Sequence, residues 1–338
     1  MQNPNLIGGR SVMLRVHFTS EDLLRTRLAA GPHPLWEAIL SATLLGNRDG
    51  QAVFDGWRLC ARSALRHLPP EQIRLIRCLA PPSGDFPDFL TPPQEAQDLA
   101  AGIEGVLSTP SQRIRQELAV LPRLPKWTRP LMDGEPGALR ALGQSLRAYY
   151  TCAVGTHWQR IQALTDADRG VRARAVLHGG VEAMLESFRP TLRWNRPVLE
   201  ADYPTDRDLR LAGRGLLLVP SVFCWRTPVT FIDPGLPPTL VYPVNRGPRW
   251  WAGHQTDPRR GQALRRLLGE SRAMALRAVE DGCTTGELAR RTGLALPTAS
   301  QHATILREAG LIASTRRGNT VIHTLTPLGR DVLTANPG

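Results

Sequence analysis

The sequence predicts an α+β protein in which a helix-rich N-terminal domain with a small sheet precedes a smaller domain of short helices and one β-hairpin. Three observations predict this class. Apolar residues recur at helical spacing over most of residues 20–188. Short apolar runs parted by Gly, Pro and Asp follow Pro190, as expected for strands. A length of 338 residues corresponds to about two domains.

The first elements are a strand and two helices. Alternating apolar residues predict the strand at 12–18. Thr19 and Asp22 have the spacing of a capping box, so a helix is expected from there through Leu28. A second helix is expected after Pro34, because proline suits the first turn.

The rest of the N-terminal domain follows the same two patterns. Further helices are predicted at 57–66, 94–107, 111–120, 138–164 and 171–188, the fourth being the longest. Strands are predicted at 191–194, 198–203, 215–222 and 239–244. The N-terminal domain is therefore expected to span residues 1–245, with its sheet near its end, and to be followed by a linker at 246–257.

Residues 258–335 have a different pattern. A helix closed by Gly282 precedes a second helix, for which Thr284 or Thr285 is a suitable N-cap. Gly293 allows a tight turn, and the next helix covers 295–309. Two strands, 311–316 and 320–326, flank a basic hairpin tip, and a last helix begins after Pro327. A short helix that follows a glycine turn is typical of a helix-turn-helix.

The charge distribution is uneven. The formal net charge is +12, with one lysine among 42 basic residues, a bias that a GC-rich genome can produce. The alternative is an anionic partner, which a basic surface attracts. Residues 259–338 carry 12 arginines against 6 acids, or half of the net charge in 80 residues. The C-terminal domain is therefore where an anionic partner is expected.

The C-terminal domain resembles the winged helix-turn-helix of the ArsR/SmtB family of bacterial transcription regulators. The resemblance rests on Glu287-Leu288-Ala289, Gly293-Leu294, Ser300-Gln301-His302, the run from Ile305 to Ile312, and Arg316-Arg317-Gly318-Asn319. The first three-quarters of the chain, from Thr19-Ser20-Glu21-Asp22 and Pro34-Leu35-Trp36-Glu37, resemble an uncharacterised domain that precedes such modules in actinobacteria.

The resemblance implies a dimeric, cytoplasmic DNA-binding regulator, a repressor, that binds a near-palindromic site of about 20 base pairs on double-stranded DNA. The expected DNA contacts are Thr298, Ser300, Gln301, His302 and Arg307 on the second helix, and Arg316, Arg317 and Asn319 at the hairpin. The alternative for Thr298, Ser300 and Gln301 is an ordinary polar face, and for His302 it is a solvated histidine that supports the next helix. For Arg290-Arg291 the alternative to a DNA contact is a solvated face. Gln can pair with adenine, and arginines at a hairpin tip can reach phosphates.

Metal sensing is not expected. Metal sensors of the family carry either a cysteine pair in the helix before the recognition helix or His, Asp and Glu ligands on the last helix. In this chain the matching stretch before the recognition helix has one cysteine, Cys283, and the last helix has one acidic residue, Asp331, and no histidine. Ala295 replaces the usual serine cap. Five scattered cysteines without a CxxC pair indicate reduced thiols. Cys152 and His157 have a spacing that could suit two metal ligands on a helix, but no two further ligands lie nearby in the sequence. No metal or other cofactor is therefore predicted.

The function of the N-terminal domain is open at this point. Trp225, Tyr242, Trp250 and Trp251 lie near its end and are expected to pack in the core, with a small-molecule pocket as the alternative. The nucleotide-binding, hydrolase and metalloprotease motifs do not occur, so no enzyme is predicted, although scattered catalytic groups would leave no motif. An enzyme or an effector-binding domain with an accessory DNA-binding module is the second hypothesis. No apolar run of 18 residues predicts a membrane span, and no secretory signal is expected.

Overall fold

The protein has an α+β fold that divides into two compact units, Met1–Trp251 and Ala252–Gly338. The computed structural model describes residues 6–7, 10–93, 98–119, 121, 124–247, 250–251, 264–280, 282–317 and 320–335. Most of the predicted linker at 246–257 lies outside these residues. No helix in the described part of the chain is both long and apolar enough to cross a bilayer.

Several helices of the first unit pack around α8. Their bounds are α1 (Ser20–Arg25), α2 (Pro34–Gly46), α3 (Gln51–Leu65), α4 (Pro70–Leu79), α5 (Leu99–Leu107), α6 (Ser111–Leu118), α7 (Arg129–Met132), α8 (Pro136–Ala153) and α9 (Trp158–Glu186). Helix α8 packs against α2, α3, α4 and α5. Its buried residues Leu142, Leu146 and Tyr149 lie three or four positions apart, so one face of the helix enters the core.

The first unit contains two four-stranded sheets. Its strands are β1 (Leu6–Ile7), β2 (Arg10–Ser11), β3 (Met13–His17), β4 (Arg27–Leu28), β5 (Leu192–Asn195), β6 (Val198–Asp202), β7 (Arg207–Arg210), β8 (Leu217–Ser221), β9 (Val229–Thr230) and β10 (Thr239–Pro243). One sheet has the order β5-β6-β3-β7 and the other β4-β8-β10-β9, while β1 and β2 pair with each other. Both larger sheets therefore combine early and late parts of the chain.

Several predictions are confirmed and several are wrong. Thr19 and Asp22 form the capping box, and α2 begins at Pro34. Helix α1 ends at Arg25, because the chain then enters β4 beside β8. The predicted helix at 138–164 is two helices, separated by a short 3₁₀ turn at Gly155–His157. The single small sheet near the domain's end was also wrong, since β3 and β4 join the late strands.

The second unit is a group of short helices with a three-stranded antiparallel sheet. A helical stretch at 264–268 precedes α10 (Glu270–Ala278), β11 (Cys283–Thr284), α11 (Thr285–Thr292), α12 (Leu296–Glu308), β12 (Ile312–Arg317), β13 (Thr320–Leu325) and α13 (Pro327–Ala335). The sheet order is β11-β13-β12. Its own apolar core includes Leu276, Leu288 and Leu306, so this unit has the hydrophobic centre of a separate domain.

Candidate functional site

Helix α11 is fixed at both ends by local signals. The Thr284 hydroxyl oxygen accepts the backbone N–H of Glu287 at 3.2 Å, and the Glu287 carboxylate accepts the N–H of Thr284 at 3.0 Å. The hydrogen bond from Thr284 lowers the pKa of Glu287. At the other end, Gly293 has φ +67°, a backbone conformation that favours glycine. The turn into α12 is therefore set by residues that the sequence already indicates.

Helix α12 has one buried side and one exposed polar side. Ala299, Ala303 and Leu306 are buried, and the two small alanines allow neighbouring helices to approach closely. On the other side Ser300 and Gln301 are exposed. The helix starts at Leu296 after Ala295, which makes no side-chain cap. Hydrogen-bonding groups are therefore available to a partner along the first two turns.

The remaining predicted contacts on α12 differ in exposure. Arg307 is exposed, whereas Thr298 and His302 are half-buried. The Nδ1 atom of His302 is buried and has no hydrogen-bond partner among the described residues. The His302 side chain is therefore only partly exposed to solvent, and one of its ring nitrogens is enclosed.

The β-hairpin carries the predicted arginines. Strands β12 and β13 pair with Arg316 opposite Val321 and Arg317 opposite Thr320, so both arginines precede the turn. The side chain of Arg316 is exposed. Asn319 and the side chain of Arg317 lie outside the described residues.

His323 is a site residue that the sequence analysis missed. Its ring is buried and lies 3.0 Å from the Thr285 hydroxyl on α11 and 2.8 Å from the Ser314 hydroxyl on β12. Burial lowers the pKa of His323, and the charge of Arg307 lowers it further. The neutral ring therefore ties the hairpin to α11. Its inward position in β13 is the only signal that the sequence could have offered.

The other arginine pair has structural contacts. Arg291 donates a hydrogen bond to the carbonyl oxygen of Ala278 at 2.8 Å, which links α11 to α10. Arg290 is exposed and lies 3.9 Å from the Glu287 carboxylate. Arg291 therefore has a packing role, while Arg290 belongs to the solvated surface.

In the first unit, the four predicted aromatic residues lie in two places. Trp225 and Trp250 pack edge-on against Phe54, with ring centroids 5.3 and 6.1 Å away. Trp225 also borders a cleft of about 220 Å³. Trp251 lies directly against Gly56, where any Cβ would overlap its ring.

Tyr242, the fourth aromatic residue, donates its hydroxyl to the Asp168 carboxylate at 2.8 Å and packs on Phe188. Tyr242 and Trp250 are buried, whereas Trp225 and Trp251 are half-buried. Cys152 and His157 form no metal cluster within the described part of the chain.

Glu37 is a second residue that the sequence analysis missed. Its carboxylate is fully buried and accepts hydrogen bonds from the Ser221 hydroxyl at 2.8 Å and from the N–H groups of Val222 and Phe223 at 2.8 and 3.0 Å. Burial raises the pKa of Glu37 to about 7, although these donors and the nearby Arg246 lower it. The carboxylate anchors the segment after β8 to the first turn of α2.

No protein-family model, no curated protein and no solved structure matches this chain. A proposal about its function therefore rests on the contacts described above.

Proposed function

We propose that the protein is a double-stranded-DNA-binding transcription regulator whose C-terminal unit is a winged helix-turn-helix of the ArsR/SmtB type. The observation that carries the proposal is helix α12. It follows a left-handed glycine turn at Gly293, buries Ala299, Ala303 and Leu306, and exposes Ser300 and Gln301. A short helix held in this way can enter a major groove with its polar side toward the bases.

The chemistry of the exposed groups fits two kinds of DNA contact. A Gln301 amide can donate to and accept from adenine in the major groove, which would give sequence preference. Arg316 on the hairpin and Arg307 near the end of α12 can bind phosphates, which would position the protein without reading sequence. The dense positive charge of residues 259–338 supports the same partner.

We further infer a symmetric homodimer that acts as a repressor in the cytoplasm. Two recognition helices in successive major grooves lie about 34 Å apart, so a near-palindromic operator of about 20 base pairs would match the symmetry of the dimer. In the ArsR/SmtB family the first and last helices of the module form the dimer. Helix α13 has nine residues, and its contribution would be small without further contacts from the first unit.

The test is binding of the full chain to genomic fragments at low ionic strength, followed by a salt titration. Arg316→Ala should weaken binding to every retained sequence and reduce the slope of log K against log salt by about 1, because one phosphate contact is lost. Arg140→Ala removes an exposed arginine from α8 and is the matched control for net charge. It should leave both affinity and slope unchanged.

A second variant separates sequence preference from general attraction. Gln301→Ala removes one base contact, so the ratio of the affinity for the operator to the affinity for unrelated DNA should fall roughly tenfold. The slope of log K against log salt should stay unchanged. Retention of no fragment by the wild-type chain would reject the proposed function. Equal salt slopes for the Arg316 and Arg140 variants would reject the role of the hairpin.

A further inference from the structure

A cavity of about 240 Å³ lies in the first unit, away from the four aromatic residues that the sequence indicated. It is lined by parts of two strands, two helices and the loop after β4. The volume is below the usual range for a drug-sized ligand, so only a small molecule would fit.

The sheet forms one wall of the cavity. Leu217 on β8 pairs with Thr239 on the parallel strand β10, and Val219 follows two residues later. Paired residues in a parallel sheet and residues two apart on one strand share a face. Leu217, Val219 and Thr239 therefore present one continuous and mostly apolar surface to the cavity.

Three large aromatic side chains also line the cavity. Trp36 on α2 and Phe231 after β9 are buried and in contact, with ring centroids 5.5 Å apart. Trp158 opens α9 and is half-buried. Flat aromatic walls favour a flat apolar ligand, since rings pack well edge-on or offset against other rings.

The electrostatic surroundings disfavour a cation. Among the described residues that line the cavity, none is acidic and none is lysine or arginine. The first turns of α2 and α9 contribute His33, Trp36 and Trp158 to the lining. Helix N-termini carry partial positive charge, which favours a neutral or negative group there, while the buried Glu37 in the first turn of α2 opposes a negative one.

The cavity is accessible from solvent. Ala30 and Gln162, which belong to its lining, are exposed. Gly31 lies between Ala30 and Pro32, and a Cβ atom at this position would meet nothing within 4 Å. The first atom of a side chain at residue 31 therefore meets open space.

We propose that this cavity binds a small aromatic molecule that is neutral or anionic. The aromatic ring occupies the space between the β8–β10 face and the indoles of Trp36 and Trp158, and the polar group points toward the helix N-termini. The proposal goes beyond DNA binding and does not depend on it, because ligand binding is measured without DNA.

The test uses isothermal titration calorimetry of the full chain with phenylacetate, phenylacetamide and phenethylamine, which share one ring and differ in charge. We expect the acid and the amide to bind in the micromolar to millimolar range and the amine to bind at least about tenfold more weakly. Gly31→Phe should abolish binding or weaken it about tenfold or more. Gly137→Phe, at another open glycine on α8, is its control and should bind as the wild type does.

A second variant changes the charge at the rim of the cavity and leaves residue 31 unaltered, so its result does not depend on how Gly31→Phe folds. Gln162→Glu places a carboxylate at the exposed rim and should weaken phenylacetate binding and strengthen phenethylamine binding, each about threefold in this partly screened position. Gln144→Glu adds the same charge at an exposed position of α8 and should change neither. Lack of binding by all three probes overturns the proposal. Binding that neither variant alters overturns the location, and a preference for the amine overturns the ligand class.

Discussion

Replacing Glu37 with Gln tests whether burial or hydrogen bonding controls the ionisation of this carboxyl group. Burial raises its pKa from 4.5 to about 7, against the effect of three donors and of Arg246. The folded chain therefore holds the proton more tightly than the unfolded chain. The stability from this group is fully present below pH 4.5 and is lost as the pH rises toward 7.

The expected size follows from the same values. A pKa difference between 4.5 and about 7 corresponds to about 3 kcal/mol, since each pH unit is worth about 1.4 kcal/mol. The glutamine variant cannot ionise, but its NH₂ group takes the place of one carboxylate oxygen. That group cannot accept a hydrogen bond, so the buried N–H of Val222 or of Phe223 loses its acceptor. This loss costs about 1–3 kcal/mol at pH 4. The advantage of the wild type should then shrink by about 3 kcal/mol between pH 4 and pH 8.

Urea unfolding followed by tryptophan fluorescence measures this difference. All eight tryptophans precede residue 252, so the signal reports on the first unit alone. Glu104→Gln, at an exposed position of α5, is the matched control for removal of one carboxylate. A constant difference between wild type and Glu37→Gln across pH 4–8 would refute the reasoning. A difference that widens with rising pH would show that the hydrogen-bond donors outweigh burial.

Two further predictions concern the second unit, whose stability hydrogen exchange can measure peptide by peptide. Thr284→Ala removes the cap of α11 and should lower its opening free energy by about 1 kcal/mol, with Thr315→Ala on β12 as a control that leaves α11 unchanged. The wild-type unit should lose stability as the pH falls below 6.5 toward the lowered pKa of His323, because the unfolded chain takes up the proton first. His323→Gln should remove part of this dependence, and an identical pH profile would contradict the role of the buried ring.

Local signals in the sequence were sufficient where neighbouring residues determine the structure. The capping box at Thr19, the N-cap expected at Thr284 or Thr285 and the left-handed turn at Gly293 involve groups no more than four residues apart. The inward side of α12 also follows from its own spacing. Such features depend on hydrogen bonds and helical periodicity that are present within one segment.

Features that depend on distant partners could not be predicted. Glu37 is an ordinary acidic residue in the first turn of a helix until Val222 and Phe223 are placed beside it. The break between α8 and α9 escaped detection because apolar residues continue at helical spacing on both sides of Gly155. The aromatic cavity likewise requires the pairing of β8 with β10, which brings Leu217 beside Thr239.

Strand β3 has an inner place in its sheet, between β6 and β7, and β4 forms the edge beside β8. Both strands are synthesised before all of their partners, which lie after residue 197. The first unit therefore cannot complete either sheet until most of the polypeptide has been translated. An expression fragment that starts after residue 30 would expose the edges of both β6 and β7, which invites self-association.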